Sequence, residues 1–417
     1  MTLHPMIAAL RKHKSGVIII AMQIALTLAI VCNAIFIISS RVEKVNRPTG
    51  MDESNVFVVS QQWVGAPTGD DPASIQKLDE MQREDLATLR ALPDVVTVTP
   101  SNTMPLYDSS WNGSESLKPD AQVVNAGPRT TYYMGDENFL PTLGLQLIAG
   151  RNFTVSDVGN KGFRDTSEPS IVILSQDLAD KLYPKGDAVG KAIYLDGGAK
   201  PTTIIGEVAR LQVPGNNSGT SNVVWDSTIE PLRINAYESR YIVRTKPGRM
   251  EVVMKAVPVA LYNANPMRVL DDDSIKSFAD VRANAYRADI GMAILMGVVC
   301  LILIAVTAAG IVGLSSFWVG QRHRQIGVRR ALGARRSDIR RYFQLENLLI
   351  AGGGAVIGVA LAIALNMLLI QHFEMDRLPV WYVLVGLVIV LILGQLAVFV
   401  PAMRASNVPP VVATRTV

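Results

Sequence analysis

Apolar residues in this chain gather into four long blocks, at 17–38, 290–319, 348–370 and 380–403, and none is interrupted by Asp, Glu, Lys or Arg. A helix needs about 20 apolar residues to cross the hydrocarbon core of a bilayer. Four blocks of that length are hard to bury in one soluble domain, so the pattern predicts four transmembrane helices. Gln23, Asn33, Asn366 and Gln395 are the conspicuous amides inside them. The first block exceeds the roughly 7–15 apolar residues of a secretory signal, and no small-x-small cleavage site follows at 37–42. It is expected to be an uncleaved anchor.

Between the first and second blocks the pattern changes. Residues 55–60 and the β-branched run 95–99, bounded by Pro93 and Pro100, read as strands. Residues 82–92 have helical spacing, with Leu86, Leu89 and Leu92 on one side. A second strand–helix–strand unit is expected at 241–245, 250–262 and 267–270, with Pro258 weakening the middle of its helix. The stretch between, about 126–236, is richer in strands and turns and includes a turn-rich loop at 215–221. The expected layout is a mixed α/β domain over 41–286, with one subdomain built from both ends and the other inserted at about 126–236.

Charge orients these pieces. Residues 41–286 carry a net charge of −6 and the remainder +10, which together give the chain's +4. The basic balance therefore belongs to the segments flanking the membrane and is not a nucleic-acid footprint. Arg11, Lys12 and Lys14 precede the first span, eight arginines crowd the link between the second and third, and Arg404 and Arg415 follow the fourth. Positive residues in short loops stay in the cytoplasm. The chain then reads as a cytoplasmic segment 1–16, helix 17–40, outer domain 41–286, helix 287–319, cytoplasmic loop 320–345, helix 346–370, short outer loop 371–379, helix 380–403 and cytoplasmic tail 404–417. Cys32 and Cys300 both fall in predicted spans, so the outer domain has no disulfide framework and must rely on a packed core.

Motifs for soluble catalysis fail one by one. The nearest approach to a nucleotide loop, Gly186 to Lys191, has three residues between its glycines and ends in Ala192 where a magnesium-binding hydroxyl is needed. His4, His13, His323 and His372 are scattered, and no Gly-x-Ser-x-Gly elbow occurs. Asp271, Asp272 and Asp273 read as a solvated turn. No cofactor or metal is expected on this chain. Gly354 and Gly358, four apart in the third span, read as a close helix-packing face.

The informative segment is 321–346, with Arg322, Arg324, Arg329, Arg330, Arg335, Arg336, Arg340 and Arg341. Topology asks for some of these charges but not for the interleaved apolar residues Ile326, Val328, Leu332, Ile339 and Phe343. Together they form a possible docking stripe for lipid headgroups or a protein. Gly327 and Gly333 read as breaks in a helical sequence, and Ser337-Asp338 as the cap of a new helix.

QIGVRRALGARRSDI at 325–339, followed by Glu346 and a glycine-rich span, resembles the FtsX-like permease domain, as does VPAMRASNVPP at 400–410. LGLQLIAGRNF at 143–153, VILSQDLADKLYP at 172–184, DAVGK at 187–191 and IIGEV at 204–208 look like the periplasmic core domain of MacB-type ABC transporter permeases, and QIALTLA at 23–29 matches their first span. The resemblance implies a type VII ABC transporter of the bacterial inner membrane, in which two permease chains pair above two ATPase domains and ATP-driven movement reaches the periplasm by mechanotransmission. Ile326, Gly327, Val328, Arg329, Arg330, Leu332, Gly333, Arg335 and Ile339 are then the expected ATPase-coupling residues. MacB-type proteins carry an ATPase domain ahead of the first span, where this chain has about 16 residues. A separate ATPase subunit, holding ATP and magnesium, is the expected partner. Export of antibiotics, peptides or other amphiphiles, with a periplasmic adaptor and an outer-membrane channel, is one implied function. The others are lipoprotein release and FtsX-like regulation of a periplasmic enzyme.

Overall fold

The computed structural model describes residues 14–107, 109–119, 127–215, 223–271, 273–373 and 377–407. Arg11, Lys12, His4, His13, Asp272, most of the 215–221 loop and the tail beyond Asn407 lie outside the described residues. The chain divides into two compact units: Met1–Asn46 with Ala288–Val417, and Arg47–Arg287.

Helix α1 (Lys14–Val45) opens the first unit. The second unit begins with β1 (Val56–Trp63), α2 (Pro72–Arg90) and β2 (Val95–Pro100). Asp71 caps α2 by accepting from the backbone N–H groups of Ala73 and Ser74, both at 3.1 Å, and Pro72 occupies the first turn, where its missing donor costs nothing. The helix starts well before the 82–92 expected from spacing, because its first turns are polar and carry no apolar period. The chain then leaves for β3 (Trp111–Ser116), β4 (Arg129–Met134), α3 (Phe139–Leu143), β5 (Leu147–Gly150), β6 (Gly159–Gly162) and β7 (Ile171–Ser175). It continues through α4 (Gln176–Leu182), β8 (Ala192–Leu195), β9 (Thr202–Val208), β10 (Ser227–Glu230) and β11 (Leu232–Asn235). It returns as β12 (Glu238–Thr245), α5 (Met250–Ala264), β13 (Arg268–Val269), β14 (Ile275–Ser277) and α6 (Phe278–Ala285).

The two ends combine into one sheet of spatial order β13-β1-β12-β2, with every pairing antiparallel and β14 beside β1. With α2 and α5 this is a split βαββαβ unit interrupted between its second and third strands. Phe57 and Val59 of β1 with Tyr241 and Val243 of β12 bury against Leu86 and Leu89 of α2 and Val253, Val257 and Leu261 of α5. α5 runs through Pro258 unbroken. Under this layer Asp85 accepts from both arms of Arg268 (2.8 and 3.0 Å) and from Tyr241 Oη (3.0 Å), all three fully buried.

The insert forms a sheet of order β5-β9-β7-β10-β4-β3-β8, and β8 also pairs with β9, so six of its strands close into a ring. It begins at β3, earlier than the 126 expected. WNGSES lacks apolar alternation and reads as a loop, but it is held in the ring by its ladder to β4, from Trp111 opposite Tyr132 to Ser114 opposite Arg129. Gly113 is required there, since a Cβ would lie 2.4 Å from the Tyr132 ring. Gly186 and Gly190 both take positive φ in the turn between α4 and β8, and Lys191 pairs with Asp187 at 2.5 Å, so that glycine spacing serves the turn.

Buried acids mark this ring. Glu230 is pushed up to about 7 by burial, opposed by the charge of Lys161 and reinforced by Asp196 and Glu168. Burial likewise holds Glu115 well above the usual range, against a hydrogen bond from Thr228. A carboxyl raised in the folded state keeps its proton there after the unfolded chain has lost it. The stability contributed by Glu230 is therefore fully present below about pH 4.5 and is lost as pH rises through about 7. Thermal melts of the full chain at pH 5 and pH 8 are expected to differ by on the order of 2 kcal/mol. Glu230→Gln should remove part of that difference by stabilising the protein at pH 8. Equal pH dependence in the variant overturns the assignment.

The first unit resumes with α7 (Arg287–Gln321), α8 (His323–Ala331), α9 (Arg336–Phe373) and α10 (Val380–Ser406). Among the described residues four helices, Lys14–Val45, Arg287–Gln321, Arg336–His372 and Val380–Ser406, are long and apolar enough to cross a membrane. Helix α1 lies at the centre of this unit, burying Ile20, Ile24, Leu28 and Cys32 against residues of α7, α9 and α10. Gly354 and Gly358 make the α1–α9 approach possible: a Cβ at Gly354 would lie 2.7 Å from the Ala21 carbonyl, and one at Gly358 would lie 3.0 Å from Ala25 Cα. Two polar groups inside the spans pair across helices. Thr27 meets Thr307 at 2.7 Å, and Asn33 donates to the Ala362 carbonyl at 3.1 Å. Asp289 of α7 is clasped by Arg41 and by Lys44, the latter at 3.1 Å.

Candidate coupling site

The arginine-rich segment is not a loop. It is the short helix α8, a turn at 332–335, and the first two turns of α9, which starts ahead of the apolar block it was expected to link to. Leu332 closes α8, and Gly333 takes φ +97°, a conformation open to glycine and strained for other residues. Gly333 is therefore the break. Gly327, expected to be one, is buried inside α8. The new helix is capped differently from the expected Ser337-Asp338: Arg335 stands before its first residue, and Asp338 reaches back to accept the Arg335 N–H at 2.9 Å.

Four contacts fix this hairpin within its own unit. Ile326, Ile339 and Phe343 bury with Val319 of α7 and with Ala402 and Ala405 of α10. Arg322 makes a bidentate pair with Glu346 (2.9 Å to each oxygen), largely out of water. Arg330 donates to the Ser406 carbonyl at the end of α10, at 2.5 Å, satisfying a terminal acceptor. The Arg329 guanidinium lies 4.9 Å from the centre of the Tyr342 ring, which meets Phe343 edge-on.

These contacts divide the expected docking stripe. Ile326 and Ile339 are 4% and 3% exposed and serve as internal anchors, because side chains buried within the chain are not available to a partner. Val328 remains half-exposed, and Leu332 is 82% exposed at the tip of the turn. Leu332, Gly333 and Arg329 line a shallow groove with Asp338 and Tyr342. The outward surface thus presents the bare Leu332 and the half-exposed Val328 on a hairpin that also exposes Arg324, Arg335, Arg336 and Arg341. Sequence reasoning missed Tyr342 and the anchoring role of Ser406. The first is one aromatic beside another, and the second contributes only its backbone carbonyl.

Four spanning helices, an α/β domain inserted after the first and a braced hairpin between the second and third define a multi-pass membrane permease carrying a large periplasmic-type domain. Comparisons agree. The family model for the MacB-like periplasmic core domain matches residues 19–258, and that for the FtsX-like permease C-terminal region matches 297–410. The chain belongs to the MacB-like family of ABC transporter permeases. The macrolide export ATP-binding/permease protein MacB of Hahella chejuensis is 26% identical over 83% of this chain and 50% of that protein. MacB 2 of Aeromonas hydrophila is 23% identical over 99% of this chain and 59% of that protein. The chain thus spans about half the length of the relatives it matches. Among solved structures, the periplasmic region of MacB from Actinobacillus actinomycetemcomitans is similar at 16% identity and a TM-score of 0.33, covering 58% of this chain and 97% of that one. The extracellular domain of the transporter YknZ from Gram-positive bacteria is similar at 14% and 0.32, covering 52% and 98%.

Proposed function

We propose that this chain is the permease subunit of an ABC exporter and that an ATPase carried on a separate polypeptide docks on the α8–α9 turn. The observation that carries the reading is Leu332, an apolar side chain 82% exposed among arginines on a turn held by buried contacts on both sides. Topology accounts for the charges and leaves the exposed leucine unexplained. A partner with an apolar socket and an acidic rim accounts for both. ATP and magnesium belong to that partner, and two permease chains assemble with it. Because Ile326, Ile339 and Arg322 fasten the hairpin to α7, α9 and α10, a push on the turn is transmitted to the spans. Export of amphiphiles such as macrolides is the cargo reading, supported by the names of the relatives.

Two experiments test this. Co-expression with a candidate ATPase should yield a complex on purification, and a cysteine at Leu332 should cross-link to that subunit. The absence of both sinks the docking site. Orientation is tested separately: a cysteine at exposed Thr166 should react with an impermeant thiol reagent in intact spheroplasts, whereas one at exposed Ala331 should react only after permeabilisation. The reverse pattern would place the arginine hairpin outside.

A further inference from the structure

Buried polar side chains in native domains are almost all hydrogen-bonded, because an unpaired amide removed from water costs free energy. Among the described residues, twelve buried side-chain nitrogen and oxygen atoms have no partner, and six of them belong to Gln61, Trp63, Gln82 and Asn235. These residues are neighbours. Gln61 and Trp63 lie two apart on β1, hence on one face of it. Gln82 of α2 donates to the Ile234 carbonyl (3.1 Å) and to Ser239 Oγ (3.3 Å), and Ser239 is the β12 residue opposite Gln61. Asn235 follows Ile234 on β11. Gln61 is only 4% exposed and neither of its amide atoms is bonded, so exchanging its nitrogen and oxygen would not rescue it.

Gln61 and Gln82 line a cleft of about 110 Å³. Trp111 and Phe163 also line it, their rings 5.5 Å apart and edge-to-face, with Phe163 half-exposed. Arg233 and Arg240 reach the same cleft, but both are committed. Arg233 pairs with Asp79 at 2.8 Å, and Arg240 donates to the Asn102 carbonyl and stacks 4.4 Å from the Tyr107 ring. Glu238 also lines the cleft but stands exposed at its rim, so the buried open valences are neutral. Among the residues that line the cleft they comprise the Gln61 amide, with a free donor and a free acceptor, and the Gln82 amide oxygen. A planar amide with both atoms free is matched by another amide, which donates to its oxygen and accepts from its nitrogen in one plane.

We propose that this cleft binds an uncharged peptide, seating one backbone amide against Gln61 and Gln82 and an apolar side chain against Trp111 and Phe163. An apolar cavity of about 150 Å³ holds benzene, so this smaller cleft takes one amide with an apolar side chain of only a few carbons. The site goes beyond the coupling reading and does not rest on it, because it lies in the Arg47–Arg287 unit and its occupation needs no ATPase.

The test uses the full chain in lipid nanodiscs and the blocked tripeptide acetyl-Ala-Val-Ala-amide, followed by equilibrium dialysis and thermal melting. Saturable binding is expected with a Kd of roughly 0.1–1 mM, the range open to so small a ligand, together with a rise in Tm. Gln61→Leu removes two orphan atoms, so it should weaken binding at least about tenfold while the Tm of the free protein holds or rises. Phe163→Ala, a half-exposed rim position, should weaken binding several-fold and keeps the test open if Gln61→Leu does not fold. The proposal is overturned if wild type shows no saturable binding or if both variants bind as wild type does. Equal competition by maltose would make this a sugar site and overturn it too. So would Gln61→Leu lowering the Tm of a protein that binds no peptide, which would mean that ordered water alone fills the cleft.

Discussion

Leu332→Asp should abolish co-purification of the ATPase while leaving the membrane abundance of the chain unchanged. The side chain is 82% exposed, so charging it costs the free permease almost nothing. In the proposed complex the same change would put a carboxylate into the partner's apolar socket. Loss of a buried anchor alone is worth about 2 kcal/mol or more, roughly thirtyfold in affinity, and the added charge makes the loss larger. Gly333→Ala tests the geometry of the turn. No atom lies within 4 Å of where its Cβ would go, so any effect arises from φ +97°, at a cost of about 1–3 kcal/mol to the turn. It should weaken coupling without removing the leucine. Arg335→Lys keeps an exposed charge and should be mild. Ile326→Asp must behave differently, because Ile326 is buried against Ile339 and Phe343: it should lower abundance as well as binding. Anionic lipid attraction, worth about 1 kcal/mol per basic residue near the surface, depends on charge and is nearly blind to Gly333→Ala. Full ATPase binding by Leu332→Asp would reduce the hairpin to a topology determinant.

What the sequence disclosed about this hairpin follows from what each residue does. Charge and apolar content are local properties, so the segment stood out, and Gly333 at a helix end is a familiar C-terminal signal. Whether an apolar residue faces inward depends on which other helix lies beside it. Ile326 and Leu332 look alike in a string, yet Ala402 and Ala405, over 60 residues away, bury one and leave the other bare. The spans were legible because bilayer length is a one-dimensional constraint. Their ends were less so, since α9 continues into a charged stretch where hydropathy falls but helix propensity does not. In the outer domain the βαββαβ unit was readable from its apolar periods. The start of the ring was hidden because β3 is polar and owes its strand conformation to β4. The peptide cleft left no signal at all: Gln61 in a strand reads as a surface residue, and only its burial beside Gln82 makes it conspicuous.

The largest stability effect should come from a pair that sequence also hid. Asp85→Leu is expected to cost about 3–5 kcal/mol, because it strands the Arg268 guanidinium without a counter-ion and removes the acceptor of Tyr241 Oη. Arg268 is fully buried, and a guanidinium cannot escape by losing its proton. Arg268→Met leaves a buried carboxyl, which can take up a proton and so limits its own damage. Burial already pushes the Asp85 carboxyl upward against the opposing pull of Arg268 and Tyr241. Desolvation is therefore a large part of what the pair costs, and removing both charges should recover most of the loss. The double variant Asp85→Leu/Arg268→Met is expected to lie near wild type, with Tyr241→Phe added to retire the remaining hydroxyl. Urea unfolding of the full chain in detergent, followed through the outer domain, measures all three corners. If Asp85→Leu lowers stability by less than about 1 kcal/mol, water reaches Arg268 and the pair is not the sealed one described here.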